Sequence, residues 1–110
     1  VISGNKTEIK RLFKSIIQNA LIHNKSIENL EITIKAKISE EHIQFSITDN
    51  GVGIPTKDFD RIFKIYVSNI NYSRGIGLAI AKKVVENYKG KIWVESEMGK
   101  GTTMHFTLAM

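Results

Sequence analysis

The sequence predicts an α+β fold in which one sheet is covered by helices. Residues 5–24 and 75–90 have apolar side chains at three- and four-residue steps, the pattern of amphipathic helices. Two pairs of short segments alternate between apolar and polar residues, as strands do. The order of these elements is helix, two strands, short helix, loop, helix and two strands, which indicates a two-layer α/β sandwich.

The first helix and the two strands after it give the clearest patterns. Residues 5–24 carry a broad apolar face, and Asn5 with Glu8 fits a capping box at the start of the helix. Residues 30–38 alternate strictly, which predicts a half-buried strand. A second alternating strand follows at once, so residues 30–48 should form an antiparallel hairpin.

The second half of the chain contains two helices and two strands. Residues 56–66 are compatible with a short helix capped by Thr56, whereas residues 67–74 have no clear period. Residues 75–90 form the second long helix, with Gly90 as its stop signal. The segments KIWVESE and TTMHFTLAM are the last two strands, joined by a turn at MGKG.

Length and composition fit one small domain. The chain has 110 residues, 42% of them hydrophobic, and one proline, as in a compact chain that buries a modest core. The absence of cysteine excludes disulfides and thiolate zinc sites. No apolar run of 18 residues and no signal peptide are visible, although a fragment of a larger protein could look like this.

The formal net charge of +5 raises the question of an anionic partner. The basic residues are scattered, and solvated helix faces are the ordinary explanation. They include Lys6, Lys10 and Lys14 early and Lys82, Lys83, Lys89 and Lys91 late. Attraction of a nucleotide or a nucleic acid is the alternative. No basic stretch interleaved with aromatic residues and no finger pattern favours nucleic acid in particular.

The segment DNGVGIP, residues 49–55, places a carboxylate at a strand end directly before bare backbone. Such a carboxylate accepts hydrogen bonds from a planar amino edge, and the glycines let a flat ring approach the backbone. Adenine offers an amino group where guanine offers a carbonyl oxygen, so a partly buried Asp49 would select adenine. A plain Asx turn with a glycine hinge is the alternative.

The segment RGIGLAI, residues 74–80, places Gly75 and Gly77 at the start of the second long helix. Free backbone N–H groups and the helix dipole favour an anion there, and Arg74 adds a charge suited to phosphate. It is neither a dinucleotide fingerprint, because the third glycine is absent, nor a P-loop. A glycine-rich helix entry used only for tight packing is the alternative.

Asn19 lies in the middle of the first helix, close to the apolar face, where asparagine is mildly unfavourable. Its side-chain oxygen would suit Mg²⁺ that is also held by phosphate oxygens. A solvated or capped amide is the alternative.

These segments together resemble the catalytic ATP-binding domain of sensor histidine kinases, which belongs to a superfamily with DNA gyrase, mismatch-repair ATPases and the heat-shock chaperone. QNALIHN resembles the N box, DNGVGIP the G1 box, FDRIFKIY the F box, RGIGLAI the G2 box and GKGTTMHFTL the closing glycine–threonine strand. The resemblance covers the chain from Asn5 to Leu108. It implies that residues 1–110 are one such domain, a fragment of a larger kinase, with the Bergerat fold: an α/β sandwich with one mixed sheet and ATP between the long helices.

The resemblance assigns one group of residues to the adenine end of ATP. Asp49 would bind the adenine amino group, as the physical argument above suggests independently. Gly51, Gly53 and Ile54 would form the floor under the base. Thr102 would support this end of the pocket, often through water.

A second group would bind the phosphate end. The resemblance implies that Asn19 holds Mg²⁺ and is the one candidate catalytic residue of the chain. His23 would lie near the nucleotide, and Ser73 and Arg74 would lie at the edge of the lid. The residues implied to line the phosphate end are Gly75, Ile76, Gly77 and Leu78.

The implied activity is transfer of the ATP γ-phosphoryl to a histidine. His42 and His105 lie in or beside predicted strands, where structural or surface roles are expected, and neither lies in a helix resembling an acceptor box. The acceptor would then lie in an upstream dimerisation and histidine phosphotransfer domain of a homodimeric parent, for relay to a response-regulator receiver domain. We expect a cytoplasmic domain with no direct membrane insertion and no nucleic-acid partner.

Departures from the family pattern leave other functions open. Ser15 stands where a polar Asn, Glu or His is frequent, Ile22 stands where a Lys is common, Ser73 replaces the first glycine of the G2 box, and the lid at 67–74 is brief. A catalytically degenerate nucleotide-binding module and an anti-sigma-type serine kinase of the same fold are two alternatives. A basic nucleic-acid-binding α+β domain is a third.

Overall fold

The computed structural model describes residues 6–24, 28–59, 61–63 and 72–109. These residues form two α-helices, two short 3-10 turns and one four-stranded sheet, which confirms the predicted α+β class. In chain order the elements are α1 (Lys6–His23), β1 (Ile32–Ile38), β2 (His42–Asp49), the 3-10 turns Thr56–Asp58 and Arg61–Phe63, α2 (Tyr72–Asn87), β3 (Ile92–Glu97) and β4 (Gly101–Ala109).

The strands lie in the order β1-β2-β4-β3, and each neighbouring pair is antiparallel. The predicted hairpin of β1 and β2 is confirmed. A mixed sheet was expected, but the described strands contain no parallel pair. β1 and β4 run in one direction and β2 and β3 in the other, and in this order no two strands of the same direction are neighbours. In this register Asp49 pairs with Thr102, and Ser96 pairs with Thr102 from the other side.

The core lies between the two helices and the inner face of β2, β4 and β3. Phe106 of β4 is fully buried at its centre, where its ring stacks on Phe45 at 5.2 Å and meets the edge of Phe13 at 5.3 Å. Such aromatic pairs add to the free energy gained from burying the rings. The largest fully buried side chains are Phe106, Leu12, Ile16, Leu108 and Val85.

Strand β1 is less buried than its sequence predicts. Its apolar residues alternate as in a half-buried strand, yet Ile34 is 49% exposed and Ile38 is 71% exposed. The reason is that the described helices pack mainly over β2 and β4, so the apolar side of β1 beyond Ile32 receives little cover from them.

Helix α2 differs from its prediction at both ends. It begins at Tyr72, three residues early, and ends at Asn87. The left-handed residue after it is Lys89 (φ 59°) rather than Gly90, and the N–H groups of Lys89 and Gly90 close the last turn on the carbonyls of Glu86 and Val85. Gly90 is required for another reason, because a Cβ there would overlap the carbonyl of Thr107.

Within the predicted short helix at 56–66, the described residues form the two 3-10 turns, and residues 60 and 64–66 lie outside the described residues. Thr56 does not cap it: Pro55 occupies the N-cap position, and no side chain caps the turn. The predicted cap at Asn5 and the predicted lid, apart from its last three residues, lie outside the described residues.

Candidate functional site

A cleft opens between α1 and the inner face of the sheet, at the end where β2 finishes and β4 begins. Its empty volume is about 350 Å³, a figure that includes the part open to solvent. Its walls are mainly apolar. The polar side chains that line it are Asn19, Asn24, Asp49 and Thr102, so the structure brings together three residues that the sequence assigned to one site. The predicted floor residue Ile54 lines it too.

Asp49 is the last residue of β2 and is only 7% exposed. Its Oδ1 accepts the N–H of Gly51 at 2.9 Å, so the Asx turn considered from the sequence is present. Within the described ranges no other group hydrogen-bonds to this carboxylate, which leaves Oδ2 without a donor, and the residue lines the cleft. Although the residue as a whole is buried, this oxygen keeps access to solvent, so a hydrogen-bond donor of a ligand can reach it.

The glycines of the loop after β2 are required by the protein's own packing. A Cβ at Gly51 would overlap the side chain of Asn24. Gly53 has a positive φ of 84°, and a Cβ there would overlap the carbonyl of Glu97. These glycines were expected to let a flat ring approach the backbone, and the structure adds that the loop is packed between the end of α1 and β3.

Asn24 fixes this loop, and the sequence argument missed it. The side chain is 3% exposed; its Nδ2 donates to the carbonyl of Ala20 at 2.9 Å, and its Oδ1 accepts the N–H of Val52 at 2.9 Å. On the other side of the loop, Asn50 accepts the N–H of Glu31 at 2.7 Å. An asparagine just after a helix gave no signal of this role, because such residues are ordinarily solvated.

Ser96 is the second functional residue that the sequence argument missed. Its Oγ accepts the N–H of Ile54 at 2.7 Å, donates to the carbonyl of Gly101 at 2.8 Å and lies 2.9 Å from Oγ1 of Thr102. Thr102 is 8% exposed and lies beside Asp49 in the sheet. A serine on the same face as Ile92 and Val94 was the available signal, because a polar side chain on the inner face of a strand needs partners.

Asn19 faces the cleft from α1 and is half-buried. In the part of the chain that the structure describes, its amide has no hydrogen-bond partner, so its oxygen is available to a ligand. The same part contains no group of three His, Cys, Asp or Glu side chains placed to hold a metal ion. A cation here would therefore take most of its ligands from water or from phosphate, as Mg²⁺ commonly does.

The predicted phosphate end begins where α2 starts. Because the helix begins at Tyr72, Gly75 lies in its first turn rather than at its first residue, and the unpaired N–H groups belong to residues before it. Leu78 is buried in the core, where it packs α2 against its neighbours; its place beside phosphate stays a prediction. The side chains of His23, Ser73, Arg74 and Ile76 lie outside the described side chains. The nucleotide contacts predicted for these residues and for Gly77 also stay predictions.

Comparison with known families identifies the chain. Residues 4–110 match the family described as histidine kinase-, DNA gyrase B- and HSP90-like ATPase. The chain belongs to this ATPase family. The resemblance stated from the sequence is therefore confirmed: the chain is a histidine kinase-like ATP-binding domain. That ATP binds in the cleft with Asp49 stays a prediction.

Relatives of this ATPase domain include sensor kinases. It is 36% identical over 110 residues to the sensor histidine kinase WalK of Bacillus subtilis, covering 94% of this chain and 18% of that protein. It is 39% identical over 111 residues to cyanobacterial phytochrome A of Nostoc sp., covering 97% of this chain and 14% of that protein. The chain thus spans less than a fifth of the length of either relative.

Solved structures give the same family. The catalytic domain of the histidine kinase ThkA, in a nucleotide-free form, has a TM-score of 0.84 and 27% identity, covering 98% of this chain and 71% of that one. The mycobacterial sensor histidine kinase MprB, with a TM-score of 0.83 and 24% identity, supports the fold. Among the described ranges of this ATPase domain, no helix is long and apolar enough to span a bilayer.

Proposed function

We propose that the chain is the ATP- and Mg²⁺-binding catalytic domain of a two-component sensor histidine kinase. It would transfer the γ-phosphoryl of ATP to a histidine on a separate dimerisation domain. The observation that carries this proposal is the buried Asp49 carboxylate with one unpaired oxygen, in the same cleft as the unpaired amide of Asn19. The relatives that are named sensor histidine kinases support it.

The adenine end follows from the hydrogen-bonding capacity of Asp49. One oxygen is used by the N–H of Gly51, and the other accepts from the amino group of adenine. Ile47, Ile54 and Met104 provide apolar walls for the base. Burying the base excludes water from the Asp49 contact, so a base without a donor at this edge leaves the acid unpaired and binds more weakly.

The phosphate end requires Asn19 and the start of α2. The Asn19 side-chain oxygen would be the protein ligand of Mg²⁺, with phosphate oxygens and water completing the shell. When bound, Mg²⁺ would neutralise negative charge on the phosphate oxygens during transfer. The N–H groups in the first turn of α2 would orient the phosphates, because these donors have no partner within the helix.

The acceptor histidine lies elsewhere in this proposal. His105 is on the outer face of the sheet, away from the cleft, where it stacks on Trp93 and its Nδ1 is 2.9 Å from Oγ of Ser46. His42 begins β2, about 23 Å along the strand from Asp49. Neither reaches the γ-phosphoryl of an ATP held by Asp49. The third histidine, His23, keeps its predicted role as a nucleotide contact and is not assigned as the acceptor. We therefore place the acceptor on an upstream dimerisation and histidine phosphotransfer domain of a homodimeric, cytoplasmic kinase region, with a response-regulator receiver domain as the next partner.

Reconstitution in trans tests the proposal. The 110-residue chain is mixed with the dimerisation domain of its own parent, Mg²⁺ and γ-labelled ATP, and we expect the label on a histidine of that domain. An Asp49→Asn variant is expected to abolish the labelling, whereas Glu86→Gln, which alters an exposed acid on α2, should not. An unlabelled dimerisation domain under conditions where calorimetry shows ATP bound would contradict transfer.

That last outcome would favour a second candidate, a nucleotide-binding module without transfer. Ile22, where the family commonly has a lysine, and Ser15 motivate it. The two candidates agree on ATP binding and differ only in transfer, so the labelling experiment separates them.

A further inference from the structure

Counting donors and acceptors around Ser96 fixes the direction of a hydrogen bond in the cleft. A serine hydroxyl has one proton and two lone pairs. The Gly101 carbonyl can only accept, so it takes the Ser96 proton, and the Ile54 N–H can only donate, so it uses one lone pair. The one remaining lone pair lies toward Oγ1 of Thr102, 2.9 Å away. Thr102 must therefore be the donor to Ser96.

This direction decides what Thr102 offers to the cleft. Its only proton is engaged by Ser96, so a ligand or a bridging water meets lone pairs alone. The Asp49 carboxylate, its partner in the sheet register, is also an acceptor. Both side chains are more than nine-tenths buried and line the same cleft. This end of the cleft therefore accepts from a donating edge and repels a carbonyl oxygen.

We propose that Ser96 is a specificity-determining residue that acts through Thr102. It has no place on the cleft wall, but it prevents the Thr102 hydroxyl from turning its proton toward the base. Without Ser96, the hydroxyl rotates freely and donates to a carbonyl oxygen at position 6 of a purine. Ser96 thus enforces the choice of a 6-amino purine over a 6-oxo purine, an inference that rests on the proposed binding of an adenine nucleotide in this cleft.

Calorimetry with two nucleotides tests this role. ATP and inosine triphosphate carry the same sugar and phosphates, but inosine has a carbonyl oxygen in place of the 6-amino group. We expect the native chain with Mg²⁺ to prefer ATP at least tenfold. Ser96→Ala should lower that preference by about threefold to tenfold, mainly by improving the binding of inosine triphosphate. If Ser96→Ala only loosened the loop at Ile54, the binding of both nucleotides would weaken by the same factor and the preference would not change.

Variants of Thr102 keep the test decisive. Thr102→Val removes the oriented acceptor and should also lower the preference, and adding Ser96→Ala to it should change the preference no further. Thr102→Ser keeps the hydroxyl and its hydrogen bond, and should retain the native preference. Melting temperatures report whether each variant folds. If Ser96→Ala does not fold, Thr102→Val against Thr102→Ser measures the same oriented hydroxyl.

The possible failures are distinguishable. A native chain that does not bind ATP would overturn the proposed function and this inference with it. A native chain that prefers ATP, with an unchanged preference in Ser96→Ala or Thr102→Val, would overturn only the role assigned to Ser96.

Discussion

The two edges of the sheet differ in how well the side chains on the inner face are covered. At the end formed by β3 and β4, the inward-facing Ser96 and Thr102 are polar, and each is hydrogen-bonded at the cleft. At the β1 end, the residues on the same face are apolar, yet Ile38 is 71% exposed. Alternation thus predicts which way a side chain points, whereas burial depends on what the rest of the chain lays over it.

The largest effect expected from this contrast is on stability. Phe106→Ala removes a fully buried ring between Phe13 and Phe45 and should lower the free energy of unfolding by about 3–5 kcal/mol. Ile38→Ala removes a mostly exposed side chain and should cost under about 1 kcal/mol. Urea denaturation of both variants measures the difference. Similar losses would show that the end of β1 is covered in solution.

The second effect is on nucleotide binding. Asp49→Asn replaces an acceptor-only carboxylate by an amide; if the amide oxygen keeps the Gly51 N–H, an NH₂ group faces the adenine amino group. We expect ATP affinity to fall by about 100-fold, or about 3 kcal/mol, with little change in melting temperature. Calorimetry checks this, with Glu86→Gln as the control. Unchanged affinity would mean that the base does not bind in the cleft where β2 finishes and β4 begins.

Local pattern drew attention to Asp49 and Asn19, and the family resemblance added Thr102 and assigned all three to one site. Their places depend on strand direction and helix periodicity, and both are set by neighbours in sequence. Asn24 and Ser96 could not be found in this way. The first holds the N–H of a residue 28 positions away and the second that of a residue 42 positions away, so their partners emerge only when the elements pack.

The exposure of β1 escaped prediction for the same reason. The sequence shows apolar residues facing inward, and the helices that should cover them lie over β2 and β4. The start of α2 was missed differently: YSR has no apolar period, so the glycines looked like the first residues of the helix although three residues precede them.

The third prediction concerns Asn24, which is buried although an asparagine just after a helix is ordinarily solvated. Asn24→Ala leaves the Val52 N–H without its acceptor and should cost about 1–3 kcal/mol of stability. It also vacates the space that a Cβ at Gly51 would occupy. Gly51→Ala should therefore lower the free energy of unfolding more in the native chain than it does in a chain that already carries Asn24→Ala. A double-mutant cycle from urea denaturation measures this coupling, and strictly additive losses would contradict the close packing.

The smallest predicted effect is at the end of α2, where the backbone conformation of Lys89 is a local feature and the close approach of Gly90 to Thr107 is a long-range one. Lys89 is the residue with left-handed backbone, a conformation that glycine adopts without the steric cost of a Cβ. Lys89→Gly should therefore raise the free energy of unfolding by about 0.5–1 kcal/mol. Gly90→Ala should lower it instead, because its Cβ would overlap the Thr107 carbonyl of β4. Thermal and urea unfolding give both signs. A loss of stability in Lys89→Gly would indicate that Gly90 ends the helix, as the sequence pattern predicted.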